Sequence, residues 1–486
     1  MEYIKLSDKR NLSMLMDFYE LTMSNGYFSS IMGETIVYFD MFYRKNPDGA
    51  GFSIVAGLEQ VIQYIKDLKF TDDDIEYLRS KKIFKEEFLI YLKNFKFTGD
   101  IFAIPEGTPV FPNEPLLTVR AKAIEAQLLE TMILLTINHQ SLIATKANRI
   151  VRAAKGRSVM EFGARRSQGY DGALYGARAA YIGGVIGTAT TLADEAFGVP
   201  ALGTMAHSWV QMYESEFEAF KTYALHYPQN CTLLIDTYNV VKSGVPNAIR
   251  VAKEVLEPMG YRLKGVRIDS GDIAYLSKKC RRMLNEAGLN DCIIVASNSL
   301  DEYIITDLLD QGAKIDSFGV GERLITAKSE PVFGGVYKLA AIEKDGNIIP
   351  KIKISENAEK VTNPGYKRVW RLYDKKTDNA IADVITLAYE NIDETKPYVI
   401  FDEVHTWKKK KVTHFTAKNL QVPIFVNGEC VYESPSLIEI RKHCQTELDK
   451  LWNEAKRFTN PHLYYVDLSK DLWNCKQDMI NQYSFK

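Results

Sequence analysis

The pattern of apolar and polar positions changes twice along the 486 residues and so marks three segments. In the first segment, "SMLMDFYELTMSNGYF" has apolar residues at helical spacing, whereas "ETIVYFDMFYRKN" and "GDIFAIPEGTPVFPNEPLLTVRA" are typical of strands and turns. A long helical stretch follows from Ala123 to about Ala154. After about Pro331 strand-like runs return, with a hairpin turn predicted at "EKDGN", and helical sequence follows near the C-terminus.

Seven short apolar runs fill the middle segment, and each ends in Gly, Ser, Thr, Asp or Asn before a helix-like stretch. They are "RSVMEFGARR", "VIGTATT", "VPALGTMAH", "TLLIDTYN", "KGVRIDSGD", "CIIVASNS" and "IDSFGVGER". Apolar runs that alternate with helices are typical of parallel strands covered on both faces. Seven such units in succession favour an α/β barrel, and an open doubly wound sheet is the alternative. In either fold, ligands bind at the carboxyl ends of the strands.

These segments predict three regions in an α/β protein. Residues 1–122 form an N-terminal α/β domain, which we expect part of 335–420 to complete. Residues 123–334 form the barrel with the active site. Residues 335–486 form a β-rich and helical C-terminal region.

Composition excludes several classes of protein. A formal net charge of −1 argues against a nucleic-acid binder that depends on neutralising phosphates. The six cysteines form no CxxC pattern, which is typical of reduced thiols in a cytosolic protein. The N-terminal sequence lacks the apolar core of a signal peptide, and no apolar run is long enough to cross a bilayer. We therefore expect a cytoplasmic protein that binds neither membrane nor nucleic acid.

The stretch "VRIDSGD" (266–272) has the densest set of polar groups at a strand end. Since side chains alternate along a strand, Arg267 and Asp269 share one face, and Ser270, Gly271 and Asp272 fall in the following loop. Two carboxylates, a hydroxyl and a glycine suit a ribose or a Mg²⁺-bound phosphate. The alternative is a surface turn with a capping side chain. The arginine lowers the odds of that alternative, because a strand interior tolerates Arg poorly unless it has a partner or a ligand.

Two further strand ends have groups that suit an anion. "FGVGER" (318–323) places Gly319 and Gly321 where backbone N–H groups can approach a phosphate, and "SNS" brings Ser297 and Asn298 to an equivalent position. Because turns with two glycines are common, this pattern gains weight only from the neighbouring strand ends.

An arginine pair follows another predicted strand in "EFGARRSQG" (161–169). Guanidinium groups such as that of Arg165 bind carboxylates and phosphates through paired hydrogen bonds. A solvated ion pair is the alternative for two arginines in a loop.

The stretch "GTMAHSW" (203–209) places His207, one of seven histidines, just after a strand. A lone histidine is more often a hydrogen-bonded structural residue than a catalyst. No His/Cys pattern with zinc spacing accompanies it, and no GxSxG elbow supports a triad with Ser208. A neutral imidazole can instead attack a phosphoryl group, and this chemistry fits the position best.

Eight motifs in order give the chain a family resemblance. They are "DFYELTM", "EFGARR", "GTMAHSW", "LIDTYN", "VRIDSGD", "SNSLDE", "FGVGERL" and "GGVYKL". The set resembles the nicotinate phosphoribosyltransferase family from Asp17 to about Leu339, and again near "NPHLYYVDLS". The resemblance implies an irregular, seven-unit α/β barrel of the type II phosphoribosyltransferase kind, with a second α/β domain built from N-terminal and post-barrel segments. It also implies a homodimer with shared active sites.

The same resemblance implies an activity. Nicotinate and 5-phosphoribosyl-1-diphosphate would give nicotinate mononucleotide and diphosphate in NAD salvage, with ATP as co-substrate and Mg²⁺ as cofactor. His207 matches the histidine that the family phosphorylates from ATP. Thr204 and Arg267 match positions that contact nicotinate, and Tyr19 matches a tyrosine that stacks on its ring from the partner subunit. Arg165 falls in a motif associated with phosphate or carboxylate contact.

The remaining matches are expected around the phosphoribosyl donor. Asp269 is expected to act in catalysis and, with Asp272, to bind the metal. The other donor-binding positions are Ser270, Gly271, Ser297, Asn298, Gly319, Gly321 and Glu322. Many members have Thr in place of Glu322, so either backbone amides bind the donor there or the carboxylate points away.

Two other functions remain open on the sequence. The first is a phosphoribosyltransferase for nicotinamide or quinolinate, although nicotinamide enzymes typically have Glu where Ala206 precedes His207. The second is a non-catalytic sugar-phosphate-binding barrel, against which His207, Arg267 and the two aspartates argue.

Overall fold

A computed structural model describes residues 10–484. Within this range the chain forms two compact units. Ile143–Pro331 form the first, here called the parallel unit. The residues up to Leu142 and those from Val332 onward form the second, here called the mixed unit. Residues 123–142, predicted to belong with the barrel, therefore lie in the mixed unit.

The secondary structure is numbered in chain order. The strands are β1 Ile36–Phe42, β2 Ser53–Ile54, β3 Asp100–Ala103, β4 Pro109–Val110, β5 Leu117–Lys122, β6 Ser158–Glu161, β7 Thr232–Leu234, β8 Gly265–Ile268, β9 Ile293–Asn298, β10 Ser317–Val320, β11 Val336–Lys344, β12 Asn347–Pro350, β13 Lys367–Asp374, β14 Ala380–Leu387, β15 Tyr398–Phe401, β16 Lys409–Val412, β17 Phe415–Asn419, β18 Val422–Val426, β19 Glu429–Cys430 and β20 Val466–Leu468. The helices are α1 Phe18–Phe28, α2 Leu58–Asp67, α3 Asp72–Ser80, α4 Glu86–Lys93, α5 Ala123–Gln127, α6 Glu130–Ala153, α7 Gly169–Ile182, α8 Thr191–Phe197, α9 His207–Gln211, α10 Glu216–His226, α11 Val245–Val251, α12 Ile273–Glu286, α13 Glu302–Asp310, α14 Glu322–Ile325, α15 Leu437–Asp449 and α16 Lys470–Ser484.

The parallel unit is built on a sheet with strand order β6-β10-β9-β8-β7. Every pair of neighbours in it is parallel. The apolar runs form these strands because both of their faces are covered; all of β7 and β10, for example, is buried. Five of the seven predicted runs are thus strands of one parallel sheet.

The other two runs extend the same strand order through single bridges. Glu161 of β6 pairs in parallel with Thr188, and Thr188 pairs in parallel with Ala201. Within residues 10–484, no backbone pairing joins Ala201 to β7 at the other end of the order. The structure therefore confirms an α/β unit with parallel strands, and barrel closure stays a prediction.

The helix after β8 shows how sequence sets the strand-end loops. Asp272 caps α12 by accepting a hydrogen bond from Tyr275 N at 2.9 Å. The helix buries residues at helical spacing, among them Ile273, Cys280 and Leu284. The loop between strand and helix is therefore short and fixed at both ends.

The mixed unit contains strands from both ends of the chain. One sheet has the order β12-β11-β1-β5-β3-β18-β19, so β1 lies between β5 and β11. A second sheet has the order β17-β13-β14-β20. The predicted turn at "EKDGN" is confirmed: β11 and β12 pair up to Lys344 and Asn347, with positive φ at Asp345 and Gly346.

Two sequence-based exclusions bear on the described residues. No helix in residues 10–484 is long and apolar enough to cross a membrane. All the cysteines lie within this range and are free thiols.

Candidate active site

Most of the predicted site residues collect at one edge of the parallel sheet. Because the strands are parallel, their carboxyl ends meet at the same edge. The segments that leave this edge contain Arg165 after β6, Asp236 and Thr237 after β7, Asp269 after β8, and the residues that end β9 and follow β10. The loop after Ala201 adds Thr204 and His207.

The His207 imidazole lies between a hydroxyl and a carboxylate. His207 is the first residue of α9, and its side chain is 40 % exposed. Nδ1 lies 3.1 Å from Oγ1 of Thr237, within hydrogen-bond distance. Nε2 lies 3.9 Å from Oδ2 of Asp269, too far for a direct hydrogen bond. The ring is therefore oriented by Thr237, with one nitrogen facing Asp269.

Asp269 belongs to a connected set of hydrogen bonds. Ser297 donates its hydroxyl to Oδ1 of Asp269. Asp236 accepts the backbone N–H of Asp269 at 3.0 Å and the Ser270 hydroxyl at 2.6 Å through Oδ2. The other oxygen of Asp236, Oδ1, is buried without a hydrogen-bond partner in the described structure. A buried, unpaired carboxylate oxygen is costly, so this group is available to a donor from a ligand.

Arg267 also has a buried polar atom without a hydrogen-bond partner in the described residues. Its Nη1 donates to the hydroxyl of Thr204, whereas its Nε is buried and has no partner among residues 10–484. Burial lowers the pKa of the guanidinium, the nearby carboxylates of Asp269 and Asp236 oppose this shift, and the charge of Arg165 adds to it. An anchored guanidinium with a free edge suits an anionic ligand.

A buried carboxylate fixes the loop that contains Arg165. Glu161, the last residue of β6, accepts the Thr188 hydroxyl at 2.6 Å and the backbone N–H of Gly163. Burial raises the pKa of Glu161. Arg165 itself is exposed on the short helical turn Ala164–Arg166. Its side chain is thus exposed to solvent on a loop that the hydrogen bonds of Glu161 hold in place.

The glycines of "FGVGER" have packing roles. Gly319 lies within buried β10, and a Cβ there would meet Cδ2 of Phe162 at 2.6 Å. A Cβ on Gly321 would lie 3.2 Å from the Phe162 carbonyl oxygen. Both residues therefore let the loop after β6 lie against β10. Their predicted contacts with the donor remain predictions.

The carboxylate of Glu322 already has a partner. It pairs with the ammonium group of Lys328, which lowers the pKa of Glu322. The carboxylate is therefore directed to its own neighbour, and the contact of this position with the donor stays a prediction.

Residues at the ends of β8 and β9 have conformations that suit tight strand ends. Gly271 has φ of 83° and Asn298 has φ of 131°, both in the region that favours glycine. Asn298 uses its side-chain oxygen to accept Ser299 N at 2.7 Å. Ser270, Gly271 and Asp272 are exposed. These positions are open to a ligand.

Tyr19 is the one predicted site residue that lies in the mixed unit. It belongs to α1 and is 43 % exposed. Burial, followed by the charge of Glu130 and a hydrogen bond to it, raises the pKa of the phenol above its ordinary value. The phenol is therefore neutral, which suits a ring that stacks on an aromatic ligand.

The sequence interpretation missed two residues of the site. Asp236 and Thr237 stand in "LIDTYN", which was identified as a strand end without a chosen residue. They are the first polar residues after β7 and its flanking Ile235, so the rule that selected Asp269 after β8 also selects them.

Comparisons with known proteins cover most of the chain. The nicotinate phosphoribosyltransferase (NAPRTase) N-terminal domain matches residues 14–138, the NAPRTase family matches 157–384, and the NAPRTase C-terminal domain matches 366–476. The chain is 45% identical to the nicotinate phosphoribosyltransferase of Bacillus subtilis over 97% of this chain and 96% of that protein. It is 33% identical to that of Dictyostelium discoideum, over 95% and 87% of the two chains.

The fold agrees with solved structures. Human nicotinic acid phosphoribosyltransferase superposes with a TM-score of 0.84 at 28% identity, over 96% of this chain and 99% of that chain. Nicotinate-nucleotide pyrophosphorylase from Pyrococcus furiosus superposes with a TM-score of 0.69 at 24% identity, over 92% and 98%, which supports the fold alone. The chain is a phosphoribosyltransferase by fold and site. It belongs to the nicotinate phosphoribosyltransferase family.

Proposed function

We propose that the chain transfers the phosphoribosyl group of 5-phosphoribosyl-1-diphosphate to nicotinate, giving nicotinate mononucleotide and diphosphate in NAD salvage. The observation that carries this proposal is Arg267, whose guanidinium is anchored on Thr204 and keeps a buried, unpartnered Nε. Such a group suits the carboxylate that distinguishes nicotinate from nicotinamide. The names of the Bacillus and Dictyostelium relatives support the same substrate.

The carboxylates of the site suit the charge that forms during transfer. Loss of diphosphate leaves positive charge on the ribose before the pyridine nitrogen forms the new bond. Asp269 and Asp236 are tied together by hydrogen bonds through the β8 loop, so their negative charge is fixed before reaction. Preorganised charge of this kind stabilises a transition state without reorganisation.

His207 is the residue that we propose takes the phosphoryl group of ATP. A ring nitrogen would attack the terminal phosphorus of ATP, ADP would leave, and water would later release phosphate. Phosphorylation adds close to two negative charges beside Asp269. Repulsion there would change the affinity for an anionic substrate or product, and so couple ATP hydrolysis to synthesis.

Mg²⁺ fits this site only together with substrate. In residues 10–484 no group of three His, Cys, Asp or Glu side chains is placed to hold a metal ion. Asp269 already accepts a hydrogen bond from Ser297, and Asp272 uses one oxygen to cap α12. Mg²⁺ commonly takes one or two carboxylates plus substrate phosphates. Asp269 and Asp272 would supply those carboxylates, and the bound ion would neutralise the departing diphosphate.

Side chains support closure of the barrel where backbone pairing is missing. Arg267, at the end of β8, bonds to Thr204 in the loop after Ala201. Thr237, beyond β7, bonds to His207 in the same segment. We propose that these two bonds join the ends of the strand order, so that substrate binding and barrel closure share residues.

Exposed side chains near Tyr19 support a homodimer with shared sites. The start of the mixed unit exposes several large apolar side chains: Leu15, Phe18, Tyr19, Met23, Ile31 and Met32. Exposed apolar side chains of this kind are typical of a contact with another protein. We propose that a second copy covers this surface in the cytoplasm and receives Tyr19 in its active site.

Substrate preference tests the proposed function. With 5-phosphoribosyl-1-diphosphate, ATP and Mg²⁺ present, nicotinate should be converted to its mononucleotide at least tenfold faster than nicotinamide or quinolinate at equal concentration. The Arg267→Lys variant, which keeps the charge and loses the paired geometry, should lose most of this preference. Faster use of nicotinamide, or no ATP-stimulated product from any of the three, contradicts the proposal.

A further inference from the structure

A cavity of about 260 Å³ lies in the mixed unit, and none of its lining residues is among the residues assigned above. Phe102 of β3, Arg368 of β13 and Asn419 of β17 line it, with Tyr366, Gln421 and Pro423. Drug-sized ligands occupy pockets of about 300–1,000 Å³. This cavity therefore admits one ring with a small substituent.

Arg368 is half-buried and brings a positive charge to this cavity. It makes no hydrogen bond or ion pair to any described residue, whereas Arg120 and Arg371 in the same unit pair with carboxylates. The carboxylates that act on the neighbouring Tyr366 are also engaged. Asp40 pairs with Lys367 at 2.8 Å, and Asp100 pairs with Arg120 at 2.9 Å. No carboxylate in the described structure thus neutralises Arg368.

The aromatic rings of Phe102 and Tyr366 line the cavity together with Arg368. The Tyr366 ring lies 6.1 Å from the Phe102 ring and 4.8 Å from the Tyr38 ring, centroid to centroid. Such ring pairs stabilise one another and keep a fixed orientation. Tyr366 is held from behind by Tyr38, so its ring is positioned before any ligand arrives.

The amide side chains of Gln421 and Asn419, which also line the cavity, are held by hydrogen bonds. Gln421 donates to Pro115 O at 3.1 Å and to the Thr118 hydroxyl at 3.2 Å. Asn419 uses its side-chain oxygen to accept Gln421 N at 3.1 Å, so its NH₂ group is free to donate. A second hydrogen-bond donor therefore stands near the Arg368 guanidinium.

We propose that this cavity is a second binding site, for a small flat ring that bears an anionic group. Arg368 and Asn419 would bind the anion, and Phe102 and Tyr366 would contact the ring. Nicotinate has this chemistry, and its choice as the probe rests on the proposed function. The site would make the enzyme respond to its own substrate.

Binding stoichiometry of the full chain tests the site. Equilibrium dialysis with radiolabelled nicotinate should give two sites per chain. Arg368→Gln should weaken one site at least tenfold and leave the other unchanged. Arg267→Gln should weaken the other site instead. Lys418→Gln, which removes an exposed positive charge on the same strand as Asn419, is the matched control and should keep both.

The outcomes separate the two proposals. One site per chain that disappears in Arg267→Gln overturns the cavity site and leaves the proposed function intact. A second site that keeps its affinity in Arg368→Gln also overturns it. Two sites that both survive Arg267→Gln contradict the proposed function, while loss of one in Arg368→Gln still supports the cavity. Unchanged melting temperatures show that the variants are folded.

Discussion

The hydroxyl of Thr237 decides how the His207 ring is presented. It is within hydrogen-bond distance of Nδ1, at 3.1 Å, whereas Asp269 lies 3.9 Å from Nε2. The hydrogen bond fixes the ring plane and favours one tautomer. If His207 accepts a phosphoryl group, Thr237 acts as a positioning residue, because it holds the ring that accepts the group.

Thr237→Val removes this hydroxyl and keeps the shape of the side chain. We expect the ATP-dependent rate to fall about 3- to 10-fold, in line with the loss of one hydrogen bond of 0.5–1.5 kcal/mol. Nicotinate affinity should change little, since Arg267 is intact. Nitrogen-15 NMR should show one tautomer of His207 in the natural protein and a mixture in the variant.

Thr237→Ser restores the hydroxyl and is the control for this prediction. It should recover the rate and the single tautomer. A valine variant with unaltered tautomer and rate would show that Asp269 alone orients the ring.

At this scale the sequence could predict residue types but not their partners. Arg267, Asp269 and His207 stand out because their chemistry is unusual at strand ends. Thr237 does not stand out, since threonine is common after a strand and its role depends on a histidine 30 positions earlier. Glu322 shows the same limit, because its pairing with Lys328 depends on the geometry of a short helix.

Helix α1 is attached to α6 through a buried carboxylate. Glu20 is fully buried and accepts Thr131 N at 3.2 Å together with the Thr131 hydroxyl. Burial raises its pKa from 4.5 to about 7, and the charge of Glu130 adds to this effect. Its second oxygen has no partner in residues 10–484. Attachment of the helix that contains Tyr19 therefore depends on pH.

Glu20→Gln should remove this dependence. The folded state binds more protons than the unfolded state between pH 4.5 and about 7, so the stability due to Glu20 is complete below pH 4.5 and is lost as pH rises through 7. The glutamine variant should thus match the natural protein at about pH 4 and be more stable by about 1–3 kcal/mol at pH 8. Thermal unfolding at several pH values measures the difference.

The exposed Glu87→Gln serves as the control on a neighbouring helix and should show no such trend. A glutamine variant at position 20 that gains no stability between pH 5 and 8 would mean that Glu20 is ionised without cost in the folded chain.

The parallel strands and one hairpin could be predicted from the pattern of apolar and polar residues. The hairpin at "EKDGN" has the two residues that a tight turn requires, and five apolar runs form the parallel sheet. The runs around Thr188 and Ala201 were predicted as strands but make single bridges only. Each of these runs pairs at a single residue, which is too short to count as a strand.

At the scale of the whole molecule, long-range pairing was beyond the sequence pattern. β1 pairs with β11, about three hundred residues later, and β3 pairs with β18. Alternation along a strand shows which face is buried, but it does not identify the partner strand. The unpaired Arg368 likewise follows from the packing of three strands and has no signal in the sequence.

The central claim for the whole molecule is that the strand-end site of the parallel unit takes a phosphoryl group from ATP on His207. Incubation with γ-labelled ATP, followed by mass spectrometry under conditions that preserve acid-labile phosphate, tests it most directly. We expect one phosphate on His207, lost on adding nicotinate with 5-phosphoribosyl-1-diphosphate, and no label in His207→Ala, which should keep a slow ATP-independent reaction. Acid-labile label that persists in His207→Ala, or ATP-stimulated turnover without any phosphate on His207, would contradict the account.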